Sequence, residues 1–229
     1  MLSTDCHSHV LPGVDDGART AQESTAMLQK LVSQGVRRVV ATPHFRGHRD
    51  NVWDFCQRRN QALGEIYRYA GQEAIDLIYL GAEVALEYGV AETPYLDRLC
   101  YECGNYILLE FPYRPFSQWM CEEIINIACE YDLIPVIAHI DRYHEVFTKS
   151  DYDQIFSMRG VIFQINNEAF ASRGGRRVVD RLIKLELPFV LGSDSHNMGS
   201  RSPNFDLPEK HLRRYQPHPE ALRFLCTFR

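Results

Sequence analysis

The chain opens on a run of side chains suited to binding cations. Residues 5–18 read Asp-Cys-His-Ser-His-Val-Leu-Pro-Gly-Val-Asp-Asp-Gly-Ala. His7 and His9 are two residues apart, so in an extended segment both imidazoles point to one side. Two nitrogen donors aimed at one point are what a metal site requires. The Pro12-Gly13 turn then brings the chain back, so that an aspartate of the Asp15-Asp16 pair can return to the same place. Alone, an H-x-H pair reads equally well as two hydrogen-bonded histidines on an edge strand. The remainder of the chain decides between the two.

Donors of the same kind recur at His44, Glu83, Glu110, His139, Asp194 and His196. With His7, His9 and Asp16 the set is five histidines and four carboxylates, with no thiolate. Nine side chains are too many for one ion and suit two or three divalent ions with bridging carboxylates. Mixed imidazole and carboxylate ligation favours manganese, iron or zinc over calcium. Four carboxylates carry −4 and three divalent ions +6, and the difference would hold a hydroxide and an oxyanion. That balance points to phosphoester hydrolysis. Arg142 follows His139 by three residues and Arg201 follows His196 by five. A guanidinium fork matches phosphate geometry, so both are candidate phosphate binders.

Such donors must be brought together by the elements between them. Periodicity predicts strands over 4–6, 36–41, 75–81, 106–109, 133–138, 161–165 and 189–191. It predicts helices over 21–34, 52–70, 93–101, 118–131, 150–157 and 176–185, with helical fragments after Pro208. The donors fall just past the ends of these strands; only the sixth ends without one, at Asn166 and Asn167. Alternating strands and helices imply a parallel sheet. Seven such units suggest an α/β barrel, closed or nearly so, whose strand ends share the face where active sites are built. An open doubly wound sheet is the alternative, though no G-x-G-x-x-G follows the first strand. No repeat, low-complexity segment or linker divides the chain, so residues 1–229 read as one domain.

Composition narrows the partners. The net charge is −5 with no basic block, which argues against a nucleic-acid groove. No apolar leader follows Met1 and no apolar run approaches a membrane span, so a cytoplasmic protein without membrane insertion is expected. The seven cysteines are odd in number and scattered, as in reduced thiols. Cys100-x-x-Cys103 is the only close pair, a weak signal for redox chemistry or half a zinc site. No cysteine has arginine six residues on, so the C-x₅-R signature of a cysteine phosphatase is missing.

Six blocks occur in order: D-x-H-x-H-x-L-P-G-x-D-D-G at the start, A-T-P-H-F at 41–45, G-A-E-V at 81–84, L-L-E-F-P at 108–112, V-I-A-H-I-D-R-Y at 136–143 and G-S-D-S-H-N at 192–197. Together, over roughly residues 3–203, they resemble the polymerase-and-histidinol-phosphatase (PHP) superfamily, and within it the bacterial manganese-dependent protein tyrosine phosphatases. The resemblance implies a distorted seven-stranded TIM-like βα barrel holding three metal ions. One would take His7, His9, Glu83 and Asp194; a second Glu83, Glu110 and His139; a third Asp16, His44 and His196. It implies phosphate binding by Arg142 and Arg201. It implies as substrate the phosphotyrosine-rich tail of a bacterial tyrosine kinase that controls capsule or exopolysaccharide synthesis. Position 141 is Asp where the family often has Glu, with charge kept and reach shortened.

The expected reaction is in-line attack on phosphorus by a hydroxide bridging the metals, with the two arginines stabilising the equatorial oxygens. The tyrosine oxygen needs little acid assistance, since its phenol pKa is about 10; Asp141 or a metal-bound water could supply it. An aromatic-lined entrance would suit the phenyl ring, and Phe45, Phe111, Tyr113 and Phe116 stand just past strand ends. Three rivals are a small-molecule phosphatase such as one acting on histidinol phosphate, a nuclease, and a non-catalytic scaffold that docks a kinase. Homo-oligomerisation is left open.

Overall fold

A computed structural model describes residues 4–208. The first strand, β1 (Thr4–Ser8), is buried along its whole length, as befits a strand covered on both faces. It pairs in parallel with β2 (Arg38–Ala41), which pairs with β4 (Ile78–Leu80). A second parallel sheet runs in the order β3 (His44–Phe45), β5 (Glu83–Ala85), β6 (Tyr106–Glu110), β7 (Ile134–Ile137), β8 (Ile162–Asn166) and β9 (Phe189–Gly192). The fold is therefore α/β with parallel sheets.

The two sheets meet at both edges. β2 leads into β3 across Thr42-Pro43, and β4 into β5 across Gly81-Ala82. Pro43 has no N–H for a ladder, which interrupts the strand. Pairing nevertheless continues, with Gly81 N–H donating to Ala41 at 2.9 Å and Glu83 N–H to Pro43 at 3.0 Å. At the other edge, Asp194 N–H donates to the His7 carbonyl at 2.8 Å and His9 N–H to Ser195 at 2.9 Å. Among the described residues nine strand segments thus stand where periodicity predicts seven strands. The extra two, β3 and β5, hold two and three residues, too few to produce a period of their own.

The helices are α1 (Ala21–Ser33), α2 (Val52–Ala70), α3 (Gln72–Ile75), α4 (Gln118–Tyr131), α5 (Lys149–Phe156) and α6 (Arg173–Lys184). Thr20, Asn51, Thr148 and Ser172 cap the N-termini of α1, α2, α5 and α6, each side chain accepting a first-turn N–H. The apolar face of α1, with Met27, Leu28 and Leu31, is buried, and α2 stops at Gly71 with φ +82°. The helix expected over 93–101 is absent. Two short 3₁₀ turns, Val90–Glu92 and Leu96–Leu99, stand in that region. Pro94 denies a helix its N–H there, and Tyr95 turns left-handed at φ +62°. Burial raises the thiol pKa of Cys103 and lifts that of Cys100 to about 12, the opposite of what a reactive C-x-x-C needs. The helical fragments expected beyond Pro208 lie outside the described residues. Among the described residues no helix is long and apolar enough to cross a membrane.

Asp5 ties the first strand to the last. Its Oδ1 accepts Ser193 N–H at 2.8 Å and His7 N–H at 3.3 Å, and its Oδ2 accepts the Ser193 hydroxyl at 2.6 Å. Burial lifts its pKa to about 6 against the pull of those donors. Asp5→Ala would strand three buried donors, so it is expected to cost about 3 kcal/mol in chemical unfolding. A loss under about 0.5 kcal/mol, the range of a surface change, would show that the tie bears no weight.

Candidate metal centre

Every donor singled out from the sequence sits at or just past the carboxyl end of a strand, or in the loop after β1. His7 is the last residue but one of β1 and His9 follows it, His44 opens β3, Glu83 opens β5 and Glu110 ends β6; His139 follows β7, and Asp194 and His196 follow β9. The centre of the arrangement is Glu83, which is fully buried. Its Oε2 lies 3.2 Å from His7 Nε2, 3.3 Å from His9 Nε2 and 3.0 Å from His44 Nδ1. Its Oε1 lies 2.9 Å from His139 Nε2, which is also 3.4 Å from Glu110. Asp194 Oδ1 stands 3.7, 3.4 and 3.6 Å from His7, His9 and His196. Asp16, 64% exposed, closes the outer side at 3.4 Å from His44 and 3.6 Å from His196.

The hydrogen bonds behind these rings assign their tautomers. Gln164 Oε1 accepts His139 N–H at 2.6 Å, so it is an acceptor, and His7 Nδ1 must donate to it at 2.9 Å. His9 Nδ1 donates to Asp15 at 2.6 Å, and His196 Nδ1 donates to the Asp194 carbonyl at 3.0 Å. As neutral ligands, all three rings turn an Nε2 lone pair inward. The Nε2 atoms of His7 and His9 face each other at 3.2 Å across a place for one proton or one cation, and, against its burial, Asp15, Asp194 and Glu83 raise the His9 pKa well above its ordinary value. Glu83 Oε2, His139 Nδ1 and His196 Nε2 are buried without a hydrogen-bond partner. Lone pairs and carboxylates converging on one another fit a cation, since alone they repel.

The electrostatics agree. Burial alone would raise the Glu83 pKa, but the imidazoles of His7, His139 and His44 hold it well below the usual carboxylate range. Asp194 is depressed in the same way by His7, His9 and His139, overcoming its burial. Burial pulls His139 down, yet Glu110 and Glu83 lift it to about 9. Protons here occupy places that metal ions would take, and ion binding releases them. Three overlapping groups have ligand atoms within 4.8 Å of one another: His9, Asp16, His44 and His196; His7, His9 and Asp194; and His44, Glu83 and Glu110. They differ from the expected sets: His9 serves two groups, His44 joins Glu83 and Glu110, Glu83 is not grouped with His7, His9 and Asp194, and His139 falls in none of the three. His139 (φ +28°) and Asp194 (φ +49°) hold left-handed backbone that non-glycine residues avoid, as functional sites often do.

Both arginines reach the cluster. Arg142 and Arg201 grip opposite oxygens of Asp194, Arg201 at 3.0 Å, and Arg201 also approaches Asp16 at 3.8 Å. Each is partly exposed, so N–H donors remain for an incoming anion. Three expectations change. Phe45 has no exposed surface and packs edge-on against Phe55, because the residue after His44 on a strand points to the opposite face. Phe111 is buried between Tyr143 and Phe147, again core rather than entrance. Asp141 is buried, and its carboxylate accepts the Asn166 N–H at 2.9 Å on β8. Tyr113 does stand in the open, 55% exposed, with its hydroxyl on Glu145 at 2.8 Å.

Sequence reasoning passed over the residues that orient the donors. Asp15 accepts from His9, from His44 N–H at 2.9 Å and from Gly17 N–H at 2.9 Å. Gln164 holds His7 and His139, and Asn166 donates to Asp194 at 2.9 Å. The signal was present: Gln164 and Asn166 alternate on one face of a buried strand, where polar residues need partners. Removing such supports lowers metal affinity about 10–100-fold. Asp15→Ala and Gln164→Ala are expected to show that loss in competition titration against a chromophoric chelator. Wild-type affinity in both would mean that they orient nothing.

The family described as capsular polysaccharide synthesis, CpsB/CapC, matches residues 3–226. The tyrosine-protein phosphatase YwqE of Bacillus subtilis (strain 168) is 30% identical over 204 residues, covering 86% of this chain and 79% of that one. The tyrosine-protein phosphatase CpsB of Streptococcus pneumoniae is 29% identical over 219 residues, covering 87% and 85%. A solved chain, from crystal structures of YwqE and CpsB described as unique metal-dependent tyrosine phosphatases, superposes with a TM-score of 0.77 at 23% identity, covering 96% of this chain and 90% of that one. The chain belongs to the CpsB/CapC family of capsular polysaccharide synthesis.

Proposed function

We propose that this chain is a metal-dependent protein tyrosine phosphatase whose ions are held by His7, His9, Asp16, His44, Glu83, Glu110, His139, Asp194 and His196. The observation that carries this reading is the set of inward Nε2 lone pairs around Glu83, with two guanidinium groups at the rim. The names of the relatives, tyrosine-protein phosphatases in both cases, support the substrate class. Three ions fit the three overlapping donor groups, and manganese suits the mixed imidazole and carboxylate set. Divalent ions bound there supply an acidified water and a clamp on phosphoryl oxygens.

The chain's own residues do the rest. Arg142 and Arg201 present forked donors to the phosphoryl oxygens and offset charge as it builds on them. Tyr113, steadied by Glu145, offers an open aromatic face to the substrate ring. Asp141 is a positioning residue, fixing the segment that carries Arg142 to the end of β8. The leaving phenolate, with a pKa of about 10, departs without a dedicated acid.

The scaffold for this chemistry is a seven-stranded barrel. Counting β2 with β3 and β4 with β5 as interrupted strands gives seven, and the hydrogen bonds between β1 and the segment after β9 support closure. The physiological substrate is the phosphotyrosine tail of a bacterial tyrosine kinase of capsule or exopolysaccharide synthesis, met in the cytoplasm. A small-molecule phosphomonoesterase is the second reading, because the same donors would serve it; rates on a phosphotyrosine peptide and on histidinol phosphate separate the two.

Chelation is expected to abolish hydrolysis of a phosphotyrosine peptide while thiol alkylation leaves most of it; the reverse would sink the mechanism. Arg142→Ala and Arg201→Ala are each expected to lower kcat/KM about 10²–10³-fold with bound metal unchanged by elemental analysis. Full activity in both would remove the arginines from the site.

A further inference from the structure

Two concavities lie beside the donor cluster. The first, about 490 Å³, is bounded by Gly47 and His48 after β3, residues 86–90 after β5, and Pro112 and Arg114 after β6. These segments begin two or three residues beyond His44, Glu83 and Glu110, so the cavity opens off the same rim. The second, about 750 Å³, shares Gly47 and Thr93 and runs on to Trp53, Tyr95 and Arg98. Adjoining at Gly47 and Thr93, the two make up a trough with far more room than a single phosphotyrosine ring needs.

Its chemistry is one-sided. The Arg98 guanidinium lies 4.6 Å over the Trp53 ring, and that of Arg114 lies 5.3 Å over Trp119. Stacked guanidinium groups are pre-set for carboxylates, having lost much of their freedom already. Neither forms an ion pair among the described residues. The two acids that line it are hydrogen-bonded elsewhere: Glu87 receives His48 Nδ1 at 2.5 Å and its N–H at 3.2 Å, and Asp50 receives Arg58 at 2.9 Å. The trough therefore offers guanidinium groups without ion-pair partners beside exposed aromatic surface.

We propose that this trough seats the acidic chain flanking the phosphotyrosine of a protein substrate, with its carboxylates on Arg98 and Arg114. The inference rests on the hydrolytic reading above and adds what selects protein over small phosphate esters. Gly47, common to both cavities, is the place to block it. A Cβ there would stand 3.5 Å from Thr93 Oγ1 and 3.6 Å from Glu87 Oε2, ordinary contacts, so a side chain can begin there, and leucine is chosen for its bulk at the junction.

The test compares p-nitrophenyl phosphate with a short peptide carrying phosphotyrosine between glutamates, using Gly47→Leu and the double variant Trp53→Ala/Arg98→Ala. The expected result is a peptide KM raised about tenfold, as for the loss of a binding hot spot, with p-nitrophenyl phosphate kinetics within about twofold. An unchanged peptide KM, or a parallel loss on both substrates in both variants, overturns the trough. If the unaltered protein fails to turn over p-nitrophenyl phosphate, the hydrolytic reading falls separately. Fluorescence anisotropy of the labelled peptide then decides: binding weakened by Gly47→Leu upholds the trough, and binding that is absent or unweakened overturns it.

Discussion

A buried concentration of negative charge governs this molecule. Glu83 and Asp194 are almost wholly removed from water, yet both are held as carboxylates. Isolated, such groups would take up protons, because the interior solvates an anion poorly. Positive charge must therefore stand against them, from imidazolium, guanidinium or bound metal. The grip of Arg142 and Arg201 on Asp194 belongs to the same balance, with cations meeting a buried anion at the point where solvent begins.

The scaffold is arranged to meet that demand without letting the donors relax apart. His7 stands on a strand buried along its length and His9 directly follows it, and each ring is held from behind by a residue of another segment. Gly192 shows how little slack remains: a Cβ there would stand 2.5 Å from the Cβ of His7 and 2.7 Å from the Gln164 amide. Only glycine lets β9 lie this close to β1. Close packing of this kind removes alternative rotamers, which is how a protein fixes ligands before an ion arrives.

Much of this was legible in the sequence, for physical reasons that can be named. Ligand chemistry restricts residue type, and parallel strands bring their ends to one rim, so His44, Glu83, Glu110 and His139 announced themselves by type and place together. Long elements such as α2 and α4 were equally plain, having several turns in which to display a period. What stayed hidden depends on distance in space rather than along the chain. Asp15 looked interchangeable with Asp16 until the fold set one behind His9 and the other in front of His44. Phe45 looked like an entrance residue because its neighbour is a candidate ligand, whereas alternation along a strand sends it to the other side.

The bond between Asp5 and Ser193 spans 188 residues. A protein emerges from the ribosome from its N-terminus. For most of synthesis, then, His7 and His9 wait without the residues that complete their surroundings. Asp194 and His196 arrive only when nearly all the other elements exist, and contacts this distant are slow to form. A nascent chain that lacks β9 also lacks two of the nine candidate donors, so the cluster is complete only once the last strand comes home.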